Sequence, residues 1–209
     1  MEPGKPMANS PELWAEAVAH LSQAEPKLAA LIARVGPCTL QPRSGNLLDN
    51  LTRAIAAQQL SVKAAATIHQ RFLDLYPAGP PSAAQLLATD DDALRSVGLS
   101  RPKIRYLKDL AQKIEAGLPS LEELDQCSDD EIIQTLTQVK GIGQWTVEML
   151  LIFRLQRLNV LPVDDLGIRK GIQQLFDLPE RPKPAQMVEL ARPWEPYRSI
   201  ACWYLWRGL

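Results

Sequence analysis

The sequence has little of what a disulfide scaffold, a zinc site or a membrane span requires. Only three of its 209 residues are cysteines, Cys38, Cys127 and Cys202. An odd number with no C-x-x-C pair argues against both a stapled framework and a thiolate metal site, so no catalytic metal and no cofactor are expected. No apolar run reaches the roughly 18–20 residues that cross a bilayer. The opening MEPGKPMANSPELW has no apolar stretch of the kind that directs secretion. A cytoplasmic (nucleoid-associated) or nuclear location is therefore expected, with no membrane partner. Strand patterns are also scarce, and only Val35–Leu40 and Asn159–Val163 read as extended pieces. The formal net charge of −1 gives no general attraction for a polyanion.

Apolar residues at helical spacing, punctuated by caps and breakers, fill most of the chain. Ser10-Pro11 predicts a capped helix to about Leu21, and Pro26 opens another that closes at Gly36-Pro37. Helices are expected over Asn46–Gln58, from Ser61 to about Tyr76, over Ala83–Leu87 and Asp91–Arg95, and from Arg101 to Ala116. Further ones follow from Ser128 to Gln138, Gln144 to Leu155, Leu166 to Phe176, Ala185 to Leu190 and Tyr197 to Arg207. The fold class this predicts is all-α, built from many short helices.

Charge is unevenly spread. Residues 95–113 hold Arg95, Arg101, Lys103, Arg105, Lys108 and Lys113 against the single acid Asp109, while acids gather at Asp90–Asp92, Glu122–Asp125 and Asp129–Glu131. One basic face is therefore expected, and Arg101 and Lys103 on it are candidate phosphate contacts.

Between two helical patterns lies Val139-Lys140-Gly141-Ile142-Gly143-Gln144-Trp145-Thr146. Glycines spaced by one residue allow positive φ and close backbone approach to a ligand. The second precedes a helix start, where amide groups and the helix dipole favour an anion. An ordinary tight turn with a glycine cap has the same spacing. The flanking Val139, Ile142 and Trp145-Thr146 set this segment apart: it resembles the helix-hairpin-helix motif of base-excision DNA glycosylases, close to L-P-G-(V/I)-G. Lys140 stands where that pattern has proline.

The resemblance implies an essential carboxylate on the loop before a later helix. Leu161-Pro162-Val163-Asp164-Asp165-Leu166-Gly167-Ile168-Arg169 supplies two, and the family spacing favours Asp165 over Asp164. An Asp pair before a helix also suits plain N-capping, and one residue can do both. A fixed carboxylate stabilises the positive charge that builds on a sugar as its N-glycosidic bond breaks. Members with lyase activity carry a lysine two residues after the hairpin's last glycine; Trp145 stands there, which implies base release that stops at an abasic site.

The C-terminal Trp194, Tyr197, Trp203, Tyr204 and Trp206 form an aromatic cluster that suits packing or a cationic base. Trp194-Glu195-Pro196-Tyr197-Arg198-Ser199, with Ala201 and Trp206, resembles the 3-methyladenine DNA glycosylase II (AlkA-type) branch. The resemblance implies a base pocket of Trp145, Trp206 and Trp203, with Met149 where that branch often has tyrosine. Ala54–Ser61 resembles the family's wedge-bearing turn, which makes Gln58, Gln59 and Leu60 candidates to fill the gap left by a flipped base. Val97–Lys103 matches a further family segment.

These likenesses imply a compact form without the β-rich N-terminal domain and without an iron–sulfur cluster. They imply two helical lobes, 46–164 with the hairpin and 1–45 plus 165–209, with a DNA-binding cleft between them. The expected partner is double-stranded DNA containing alkylated bases, bound by a monomer. The expected reaction is excision of alkylated purines such as 3-methyladenine and 7-methylguanine. Two rivals stay open: a same-fold glycosylase for oxidised or mismatched bases, and a non-catalytic helix-hairpin-helix DNA-binding module.

Overall fold

The structure, a computed structural model, describes residues 11–208. Every regular element among them is helical. The chain divides into two compact units: the described residues up to Pro42 with those from Glu148 onwards, and Arg43–Val147.

The Arg43–Val147 unit holds α3 (Leu47–Ala57), α4 (Val62–Asp74), α5 (Ala83–Ala88), α6 (Asp91–Ser96), α7 (Arg101–Glu115), α8 (Leu121–Leu124), α9 (Asp129–Leu136) and the first turn of α10 (Gln144–Phe153). Reciprocal capping sets several of these starts. Asn46 with Asp49, Ser82 with Gln85, Ser120 with Glu123 and Ser128 with Glu131 each satisfy two amide groups that a helix start leaves without partners. Helix α7 is the spine, packing against α3, α5 and α6. Its Ile104, Leu107 and Leu110 join Leu51, Ile55, Leu86 and Leu94 in a buried apolar core.

The other unit holds α1 (Pro11–Ala24), α2 (Pro26–Val35), the remainder of α10, α11 (Leu166–Leu175), α12 (Pro184–Ala191), a 3-10 turn at Arg192–Trp194 and α13 (Arg198–Gly208). Helix α13 is central, contacting α2 and α11, and its residues Ser199–Leu205 are all buried. The capping expected of Ser10 lies outside the described residues.

Neither extended segment becomes a strand. A strand needs a neighbouring backbone to pair with, and side chains supply the partners instead. In the first, the Gly36 carbonyl accepts from the Tyr204 hydroxyl at 3.1 Å. In the second, the Val160 N–H donates to Ser199 Oγ at 2.9 Å, and that hydroxyl donates to the Arg157 carbonyl at 2.6 Å. The Ser199 N–H adds a bond to the Leu158 carbonyl at 2.9 Å. Arg198 reinforces the tether through Nε to Asn159 Oδ1 at 2.8 Å. The start of α13 thus fixes the loop that leads to α11.

Ser199 is 1% exposed, so removing its hydroxyl leaves the buried Val160 N–H without that acceptor. Ser199→Ala should lower unfolding stability by about 1–3 kcal/mol in chemical denaturation; a cost near zero would show that water replaces the hydroxyl.

Candidate functional site

Asp165 is the N-cap of α11. Its Oδ1 accepts from the Ile168 N–H at 2.8 Å and from the Trp206 indole Nε1–H at 2.9 Å. The residue is 9% exposed, whereas Asp164 is exposed. The cap aims the carboxylate, and the indole bond joins it to α13. Trp206 stacks in turn on Phe153 of α10, with ring centroids 5.6 Å apart and planes inclined by 29°. Gly167 makes this approach possible: a Cβ there would stand 3.0 Å from Trp206 Cδ1 and 3.1 Å from Asp165 Oδ1.

The remaining C-terminal aromatics pack inwards. Trp194 is fully buried against Phe176, and Tyr197 donates its hydroxyl to Glu16 at 2.8 Å. Trp203 is 5% exposed, edge-on to Tyr204 and covered by the Arg207 guanidinium 4.5 Å from its ring centroid. Trp206 keeps partial exposure, as does Met149. Trp145, Met149 and Phe153 follow at four-residue spacing, which puts them along one side of α10; Trp145 is 45% exposed.

The hairpin belongs to the other unit. Val139 and Ile142 are buried and anchor it, while Lys140, Gly141, Gly143 and Gln144 are exposed. Its two glycines meet different demands. Gly141 has φ +80°, and a Cβ on it would come within 2.2 Å of the Tyr106 ring. The fold itself requires glycine there. At Gly143 a Cβ would meet nothing within 4 Å. That position is open to whatever approaches from outside. The Gly143 carbonyl accepts from the Thr146 N–H at 3.0 Å and the Val147 N–H at 3.3 Å, so α10 begins here with the positive end of its dipole at the turn.

Asp109 of α7 holds the neighbouring residue twice. Its Oδ2 accepts from the Lys140 N–H at 2.9 Å, and its Oδ1 lies 3.2 Å from the Lys140 ammonium. Burial alone would raise the Asp109 pKa, but the Lys140 N–H and ammonium, with Lys113 beyond them, hold it below the ordinary carboxylate range.

The wedge candidates diverge in their surroundings. Gln58 is half-buried and donates through Nε2 to the Gly141 carbonyl at 2.7 Å. Gln59 is exposed with φ +58°, a left-handed conformation that few non-glycine residues adopt, and Leu60 is 40% exposed. Of the basic candidates, Arg101 is exposed at the start of α7. Lys103 instead donates to the Ala56 carbonyl at 2.8 Å, and burial lowers its pKa. Among the described residues no group of three or more His, Cys, Asp or Glu is placed to hold a metal ion, and no helix is long and apolar enough to cross a membrane.

Residues 52–196 match the pattern of HhH-GPD superfamily base excision DNA repair proteins. The chain belongs to that superfamily. As an HhH-GPD protein it is 33% identical over 192 residues to the alkylbase DNA glycosidase-like protein mag2 of Schizosaccharomyces pombe, covering 90% of each chain. It is 43% identical over 161 residues to DNA-3-methyladenine glycosylase 1 of the same organism, covering 76% of this chain and 71% of that one. Its fold superposes with a TM-score of 0.84 on S. pombe 3-methyladenine DNA glycosylase (Mag1) in complex with abasic DNA, at 38% identity over 92% of this chain and 95% of that one. The all-α HhH-GPD fold expected from the sequence is what the structure shows.

Sequence reasoning did not single out Phe153, Gly167 or Ser199 for the parts they play here, nor Tyr106 and Asp109 as supports of the hairpin. Phe153 was within reach of the four-residue spacing from Met149. The others act through contacts made far along the chain.

The glycine pair and the acid each generate a prediction. Gly141→Ala should lower stability by about 1 kcal/mol or more. Gly143→Ala should stay within about 0.5 kcal/mol of wild type yet weaken duplex binding in a titration; the reverse pattern would refute the division of labour. A carboxyl with a depressed folded-state pKa adds stability above its unfolded value of about 4 and loses it as pH falls through the folded one. Asp109→Asn should therefore melt below wild type at neutral pH, with the gap closing in acid. A gap that stays constant into acid would remove this pair from the stability of the hairpin.

Proposed function

We propose that this HhH-GPD protein is a monofunctional DNA glycosylase that extrudes alkylated purines from duplex DNA and hydrolyses the bond between C1′ and the base. The observation that carries the reading is the buried Asp165 carboxylate, held at one oxygen by both the Ile168 N–H and the Trp206 indole. The names of its relatives, DNA-3-methyladenine glycosylase 1 among them, support alkylated purines as the substrate class.

Each residue then has a task. The hairpin Val139–Gln144 grips a phosphate through backbone amides at the start of α10, with Gly143 allowing close approach. Arg101 adds charge beside the backbone of the same duplex. Gln59 and Leu60, exposed on a left-handed turn, fill the space that the extruded nucleotide leaves. Trp206 and Met149 offer partly exposed surface to the base, whereas Trp203 has little surface to present.

In the reaction the glycosidic electron pair leaves with the purine, and positive charge develops on the sugar. Asp165 stabilises that charge and orients the water that adds to C1′, which releases a proton. A purine methylated at N3 or N7 already carries positive charge and leaves neutral, so no separate acid is needed. No lysine stands two residues beyond Gly143, where Trp145 is found, so the products are the free base and an abasic site.

Asp165→Asn keeps a capping side chain, so the variant should fold and bind duplex while base release from methylated DNA drops by about 100-fold or more. The measurement is mass spectrometry of released bases alongside a binding titration. Unchanged release would remove Asp165 from the chemistry, and a borohydride-trapped covalent adduct would contradict the monofunctional assignment. Release of oxidised rather than methylated purines would favour the same fold acting on another lesion.

A further inference from the structure

The turn after α3 and the hairpin are joined directly, through residues 83 positions apart in sequence. The carbonyls at the end of α3 are each occupied: Ile55 by the Gln58 N–H at 3.3 Å, Ala56 by Lys103 Nζ at 2.8 Å and Ala57 by the Leu60 N–H at 3.2 Å. This closes the turn tightly around Gln59. Gln58, the first residue of that turn, then sends its amide to the Gly141 carbonyl at 2.7 Å, between the two hairpin glycines. On successive turns of α7, Lys103 holds the α3 end, Tyr106 lies against Gly141 and Asp109 holds Lys140.

We infer that Gln58 is a positioning residue: its hydrogen bond to Gly141 fixes the spacing between the phosphate-gripping hairpin and the Gln59–Leu60 turn, so that gripping a phosphate presents the turn to the base stack. Gln58 itself does not enter the duplex, because its amide is committed to the hairpin. The inference rests on the reading above only in assigning the Gln59–Leu60 turn to the space vacated by a base.

Lost coupling and lost grip give different signals. With Gln58 unable to donate, the hairpin still finds its phosphate, but the turn is no longer delivered in register. Affinity for duplex then changes little while unstacking of the neighbouring bases falls.

The experiment titrates the full chain into a duplex carrying 2-aminopurine beside a tetrahydrofuran abasic analogue. Affinity is read by anisotropy and unstacking by 2-aminopurine fluorescence at saturation. Gln58→Met, close in length but without a donor, should keep the wild-type melting temperature and bind within about twofold. Its saturating fluorescence rise should fall by about twofold to fivefold, the effect of one lost hydrogen bond, and Leu60→Ala should lower the rise as well. If Gln58→Met melts well below wild type, Gln58→Glu, whose ionised side chain can only accept, goes through the same titration. A full fluorescence rise in a folded variant, loss of affinity in parallel with the signal, or no rise with the wild-type chain overturns the proposal. The titration involves no base release, so a wild-type chain that fails to excise methylated purines would refute the proposed function and leave this result readable.

Discussion

A carboxylate taken out of water is costly unless donors meet it, and the unit that carries Asp165 is organised around supplying them. The α11 start gives one donor, the Ile168 N–H, and the end of α13 gives another, the Trp206 indole. The beginning of α13 meanwhile fixes the preceding loop through Ser199 and Arg198. One helix therefore positions the carboxylate from both sides, and its near-complete burial gives it the rigidity to do so. Most of the C-terminal aromatics serve that burial, and Trp206 links it to the Asp165 carboxylate.

The hairpin unit solves a different problem, holding an exposed backbone turn in one shape before any ligand arrives. Tyr106 lies beneath Gly141 and Asp109 holds Lys140. Preorganisation of this kind lowers the ordering cost of binding. It also explains the local chemistry: Lys140, where proline would stiffen the turn by itself, is restrained from outside by a paired acid.

Much of this was legible in the chain. Caps such as Ser61 and Ser128 marked helix starts because their partners lie only three residues on, and the hairpin and Asp165 stood out by local spacing. The short α8 escaped notice although Ser120 and Glu123 have the capping-box spacing, because four residues carry little periodic signal. The two extended segments misled for a physical reason: conformation is local, whereas a strand is defined by a partner that the sequence does not reveal. The aromatic cluster misled in another way, since type and spacing do not distinguish the buried Trp203 from the partly exposed Trp206. The choice between Asp164 and Asp165 rested on family spacing. The structure separates the two in surroundings, with Asp165 buried under two donors and Asp164 exposed, while the separate surroundings of Gln58 and Gln59 depend on a contact no local pattern contains.

Cys202 lies in the buried stretch of α13, close enough to Asp165 to feel its charge. Burial first, and that negative charge second, push the thiol far above the range in which thiols ionise. Methylating agents attack thiolates far faster than thiols, because the thiolate is the nucleophile. The reagents that methylate DNA meet cysteine thiols as well. The Cys202 thiol is thus kept in the form least open to them, in the same buried helix whose end supplies the Trp206 donor to Asp165.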